Sequence, residues 1–114
     1  MRFKAIASLA AVALLAAGSC ARSPVSDFMA AGLASARQDA WEEAARQWTQ
    51  AIEKDPGSAA AHNNLAVAYE RQGAWEAAER EYGKALRLAP DEPTVKTNYA
   101  AFKARLERLR GRMP

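Results

Sequence analysis

From Ala40 to Pro56 the chain reads AWEEAARQWTQAIEKDP, and from Ala74 to Pro90 it reads AWEAAEREYGKALRLAP. Trp41 returns as Trp75, Ala44 as Ala78, Trp48 as Tyr82, Ala51 as Ala85, Ile52 as Leu86 and Pro56 as Pro90, each 34 residues later. A repeat of that length is one supersecondary unit. Such a unit cannot bury its apolar stripe alone and must stack on a neighbour of its own kind. At 114 residues the chain holds one domain at most, so the copies must share a core.

The repeating unit is helical. Half the residues are apolar and a quarter are charged, and Ala, Leu, Glu, Arg and Lys lose little freedom in a helix. No run alternates β-branched residues as a strand would. Turn signals divide the chain into five helices. Ser26-Asp27 caps the first, which runs to about Gln38, and Asp39 caps the second, to about Lys54. Asp55-Pro56-Gly57-Ser58 turns the chain and caps the third, which Gly73 ends. A fourth runs from Ala74 to about Leu88, and a fifth from about Pro93 to Arg110. Trp41, Ala44, Ala45, Trp48, Ala51 and Ile52 share one face by spacing of three and four, as do Trp75, Ala78, Tyr82, Ala85 and Leu86. At this spacing Trp41, Trp48 and Trp75 read as core rather than as a ligand box.

This pattern resembles the tetratricopeptide repeat, a helix-turn-helix unit of 34 residues. The first unit (25–58) supplies Phe28, Ala31, Gly32, Ser35, Ala44, Trp48, Ala51 and Pro56 to its hallmark positions. The second (59–92) supplies His62, Leu65, Ala66, Tyr69, Ala78, Tyr82, Ala85 and Pro90. Ser35 stands where Tyr is usual, His62 where a large residue is usual, and Ala66 where Gly is usual. Residues 93–110 match the first half of a third unit, with Asn98-Tyr99-Ala100 echoing Asn64-Leu65-Ala66. Their apolar residues Val95, Tyr99, Phe102, Leu106 and Leu109 fit a cap for the stack, or a coiled-coil seam. The resemblance implies an all-α, helical-hairpin solenoid of two repeats plus a C-terminal capping helix.

The amino-terminal segment belongs to a different physical regime. Met1–Lys4 carries two positive charges, Ala5–Ala17 is apolar and uncharged, and Ala17-Gly18-Ser19 precedes Cys20. These are the parts of a secretory signal (1–19), and the run is too short for a confident membrane span. Cys20 is the only cysteine, so no internal disulfide forms. Its place resembles a bacterial lipobox, with Ala17 where Leu is frequent. The resemblance implies cleavage before Cys20, lipidation of its sulfur, and a short linker to residue 25. Ala21, in place of an Asp, implies an outer-membrane anchor facing the periplasm. The alternative is a general secretory cut beside a stray cysteine. Without Arg2 and Lys4 the formal charge falls from +3 to about +1, which is no nucleic-acid footprint.

Residues able to carry chemistry are few. The one histidine, His62, lacks metal or nucleophile partners in the sequence and occupies a packing place. No phosphate-binding Gly-rich loop occurs, and Glu42-Glu43, Glu76 and Glu79 read as solvated surface. An enzyme is not indicated, nor is any cofactor or metal. One constellation remains. Arg37, Arg71 and Arg105 recur at the period, late in the first helix of each unit. In the resembled family that helix lines a concave groove, and Met29, Leu33, Asn63, Asn64, Val67, Glu70, Thr97 and Ala101 fall beside the arginines. Guanidinium groups pair carboxylates bidentately, so the row suits an extended peptide bearing them. The bland alternative is a solvated basic row. The family's carboxylate clamp is not matched, since Met29 and Leu33 stand where Lys and Asn are needed. The expectation is a membrane-anchored interaction module for an envelope protein or peptide. The alternative is a self-associating structural protein, pairing as a homodimer.

Overall fold

The computed structural model describes residues 23–112. They form five helices: α1 (Pro24–Arg37), α2 (Trp41–Lys54), α3 (Ala59–Arg71), α4 (Trp75–Leu88) and α5 (Pro93–Arg110). No strand occurs among the described residues. Helices α1 and α2 pair as hairpin one, α3 and α4 as hairpin two, and α5 packs on α3 and α4. This is the all-α helical repeat with a terminal cap. The expected signal segment and Cys20 lie outside the described residues. Among those described, no helix is long and apolar enough to cross a membrane.

Two helix starts differ from expectation. Helix α1 is capped by Ser23, not by Ser26-Asp27: the Ser26 amide donates to Ser23 Oγ at 3.2 Å. Pro24 takes the first helical position, where its fixed φ suits the helix and its missing N–H costs nothing. Asp39 does not cap α2. It adopts φ +57, and Ala40 precedes α2 without a side-chain cap. Asp39 closes α1 instead, with its own amide on Ala36 O and the Ala40 amide on Ser35 O. Gly73, 34 residues later, has φ +74 and the same two bonds, to Glu70 O and from Ala74 to Tyr69 O. Both are Schellman closures, and a left-handed residue is what they need. Ser58 caps α3 as expected, accepting from the Ala61 amide at 3.2 Å. Helix α5 uses Glu92, whose carboxylate accepts from the Thr94 amide, with Pro93 at its start.

The core lies in two connected clusters. Ala44, Ala45, Trp48, Leu65 and Ala68 form the first, with Met29, Ala36, Trp41, Ile52 and Tyr69 packed around it. Ala66, Ala78, Tyr82, Phe102 and Leu106 form the second, bordered by Val67, Tyr69, Trp75 and Tyr99. Tyr69 touches both, so the hairpins share one interior. Small residues let the helices approach, and large rings fill the space beside them. At Gly32 this approach is extreme: a Cβ there would fall 2.6 Å from Cδ1 and Cε2 of Trp48. The apolar steps of α5 are used on hairpin two. Val95, Phe102 and Leu106 are buried, and Tyr82 stacks on Tyr99 with ring centres 5.5 Å apart. Such an aromatic pair adds about 0.5–1.5 kcal/mol beyond its buried area.

Candidate partner-binding site

Arg37, Arg71 and Arg105 occupy the last turns of α1 and α3 and the third quarter of α5. All three are exposed, yet their surroundings differ. Arg105 donates from Nη1 to Glu70 Oε2 at 2.6 Å. The Glu70 side chain is only 9% exposed, against 47% for Arg105. Arg71 lies over the Trp41 ring, 5.1 Å from its centre. A cation over an indole face is attracted by the ring quadrupole, and Arg71 makes no side-chain ion pair among the described residues. Arg37 has no ion pair among the described residues.

Tyr82 is buried within the field of two of the arginines. Burial pushes its phenol above the ordinary value, and the Glu70 carboxylate adds to this, while Arg105 and Arg71 pull the other way. The four groups therefore share one electrostatic neighbourhood where α3, α4 and α5 meet.

One turn earlier on each helix stand Leu33, Val67 and Ala101, also at the 34-residue period. Leu33 is 46% exposed, Val67 is half-buried and Ala101 is exposed. Two turns before the arginines, approximately, come Met29, Asn63 and Thr97. Asn63 is buried, and its side-chain oxygen accepts from Asn98 Nδ2 at 3.2 Å. Asn64 is half-buried, with its oxygen 3.4 Å from Asn63 Nδ2. The structure thus brings Glu70, Arg71 and Arg105 together with Asn63, Asn64 and Val67 on α3 and α5. Arg37, on α1, shares no ion pair with them. Cys20, the expected lipidation residue, lies outside the described residues.

A second polar cluster escaped sequence reasoning. His62 and Glu81 are both buried, with His62 Nδ1 2.6 Å from Glu81 Oε2. The other ring nitrogen, Nε2, lies 3.0 Å from the Pro56 carbonyl oxygen. A carbonyl only accepts, so Nε2 donates there, and Nδ1 shares a hydrogen with the carboxyl. Lys84 Nζ donates to the other Glu81 oxygen at 3.0 Å. His62 does fill a packing place, but it does so as half of a polar pair. The signal lies in the period: Phe28 and Gln47 stand where His62 and Glu81 return, so both members change together.

No group of three or more metal-binding side chains occurs among the described residues. A family model described as "Tetratricopeptide repeat" matches residues 29–93, more than half of the chain. No match was found among curated proteins.

Proposed function

The chain belongs to the tetratricopeptide repeat family, and on that premise we propose that it is a membrane-tethered interaction module of the bacterial envelope. Repeats of this family generally mediate protein–protein interactions and are typically non-catalytic. In the proposed reading Cys20 carries the lipid, residues 20–23 are the tether rather than the expected 20–25 because α1 begins at Pro24, and α1, α3 and α5 present the groove. The site faces the periplasm from the outer membrane. Its partner is an envelope protein or an extended peptide bearing carboxylates.

The observation that carries this reading is the pair of parallel rows, Arg37, Arg71 and Arg105 above Leu33, Val67 and Ala101. A cationic row beside an apolar one gives both orientation and desolvated contact area. The tether limits where partners are met. Three residues separate Cys20 from α1 and, fully extended, reach under about 15 Å, so the partner comes to the membrane surface.

The test joins anchor and groove. A photo-crosslinking residue at Val67 is expected to capture envelope protein in intact cells, and one at exposed Glu76 on α4 is not. In the Cys20→Ser variant the protein is expected to leave the membrane fraction and Val67 capture to fall. Equal capture from both positions sinks the groove reading. Unchanged fractionation of the Cys20→Ser variant sinks the lipid anchor.

A further inference from the structure

The three arginines are equivalent by period and unequal in what they can still bind. Arg105 already holds a carboxylate, that of Glu70, at 2.6 Å. The residues one period before and after Glu70 are Ala36 and Ala104, so this internal acid occurs once along the row. Its side chain is nine-tenths buried. An incoming carboxylate that displaced it from Arg105 would leave Glu70 buried without a partner, which is strongly unfavourable. Arg71 has its Cζ over the Trp41 ring, and neither Arg71 nor Arg37 has an ion pair among the described residues. The charge of Arg105 is cancelled on the spot, and the row's net +2 resides at Arg37 and Arg71.

We infer that Glu70 acts as a built-in carboxylate that occupies Arg105, so that the groove recognises acidic groups only at its α1–α3 end. The partner is then a polar-ended peptide segment. Its acidic residues lie across Arg37 and Arg71, and its uncharged residues lie across α5, where Thr97 and Ala101 are exposed. Glu70 is a specificity determinant, acting by removing one arginine from the set that a ligand can use. This rests on the proposed groove function and refines the chemistry of its ligand.

The packed helices α3 and α5 set a step of about 8–10 Å between Arg71 and Arg105. The 34-residue period repeats that step between Arg37 and Arg71, and an extended peptide covers it in about three residues. Carboxylates paired with successive arginines are therefore spaced about three residues apart. The experiment is a selection of random decapeptides displayed on phage against the full chain held in detergent micelles. For the wild type, Asp and Glu are expected to be enriched at no more than two positions, about three apart, in one half of the peptide. The Glu70→Gln variant is expected to add a further acidic position about three residues beyond. A Glu70→Gln/Arg105→Gln variant, which removes both charges, is expected to return to the wild-type pattern. Circular dichroism of each variant confirms the helices.

Wild-type peptides already acidic at three such positions would overturn the inference, since Arg105 would then be free. It is overturned equally if Glu70→Gln leaves the pattern unchanged while Arg37→Gln weakens it, with the groove reading still standing. Should no acidic enrichment appear in any variant, the arginine groove itself is wrong and the inference falls with it. If Glu70→Gln does not fold, the double variant decides. Loss of the wild-type acidic pair in that variant means that Glu70 and Arg105 serve the ligand directly, against the inference.

Discussion

Hairpin one sets Trp48 against Gly32, whereas hairpin two gathers Tyr82 and Ala66 in one cluster at the same two places of the period. The larger ring meets the smaller partner. Hairpin one also places Phe28 and Gln47 where hairpin two places His62 and Glu81. Gln47 turns to its own helix and donates to Glu43 at 2.7 Å. Glu81 turns inward and meets His62 across the hairpin. What repeats in this solenoid is therefore the content of a facing pair and not each residue by itself. Steric volume is traded in one pair, and polarity in the other.

The polar trade offers the largest effect. Glu81→Ala leaves His62 facing empty space in a buried site. Leaving a buried polar group without its partner costs about 1–3 kcal/mol, and urea unfolding followed by circular dichroism measures it. The double change His62→Phe/Glu81→Gln gives hairpin two the residues of hairpin one. Glu43, which holds Gln47, returns as Ala77, so the introduced glutamine has no such acceptor. The double variant is expected to recover only part of that loss, by removing the unpaired imidazole. A double variant as weak as Glu81→Ala breaks the equivalence of the two pairs.

The steric trade comes next. Alanine favours a helix over glycine by about 1 kcal/mol, so propensity alone makes Gly32→Ala stabilising. The indole decides otherwise: the new methyl falls inside the Trp48 ring's van der Waals envelope. Overpacking costs about 1–3 kcal/mol, and a net loss of stability is expected. Gly32→Ala/Trp48→Tyr copies the Ala66 and Tyr82 pairing and should recover most of that loss. Were Gly32→Ala neutral in the same unfolding experiment, the close approach of α1 to α2 would not be what limits this position.

The smallest effect belongs to the closures. Asp39 and Gly73 hold the same left-handed place at φ +57 and +74. Glycine bears that conformation without a Cβ penalty. Asp39→Gly should raise stability by about 0.5–1 kcal/mol, and Gly73→Asp should lower it by a similar amount. A thermal melt of the two single variants reads both signs at once.

Much of this is legible in the sequence. The period places Trp48, Ala44, Ala78 and Tyr82 in the core, and Ser58 and Gly73 at helix ends, because those residues act through strong local rules. Asp39 reads as a cap since aspartate serves both as an N-cap and in the left-handed region. Only its alignment with Gly73 separates the two roles. Ser26 competes with Ser23 for the first cap, and Pro24 marks the true start of the helix. The His62–Glu81 pair spans 19 residues and the Glu70–Arg105 pair spans 35. Neither falls at the spacing of three or four that makes neighbours on one helix. Sequence alone therefore groups the three arginines as equals, and the carboxylate that distinguishes one of them comes into view only with the packing of α5 on α3.

The two polar links between α3 and α5 also bear on how the coil behaves as a spring. Asn63 with Asn98, and Glu70 with Arg105, are both joined across 35 residues. The links sit seven residues apart along each helix, about 10.5 Å of length. Two fastening points on a rod fix its inclination as well as its position. Between α1 and α3 the matching places are Met29 with Asn64 and Ala36 with Arg71. A thioether and a methyl group fasten nothing of that kind. The α3–α5 step carries two polar fastenings, and the α1–α3 step has neither of them. A load applied at residue 23 therefore meets the step without either fastening before it reaches the doubly fastened one.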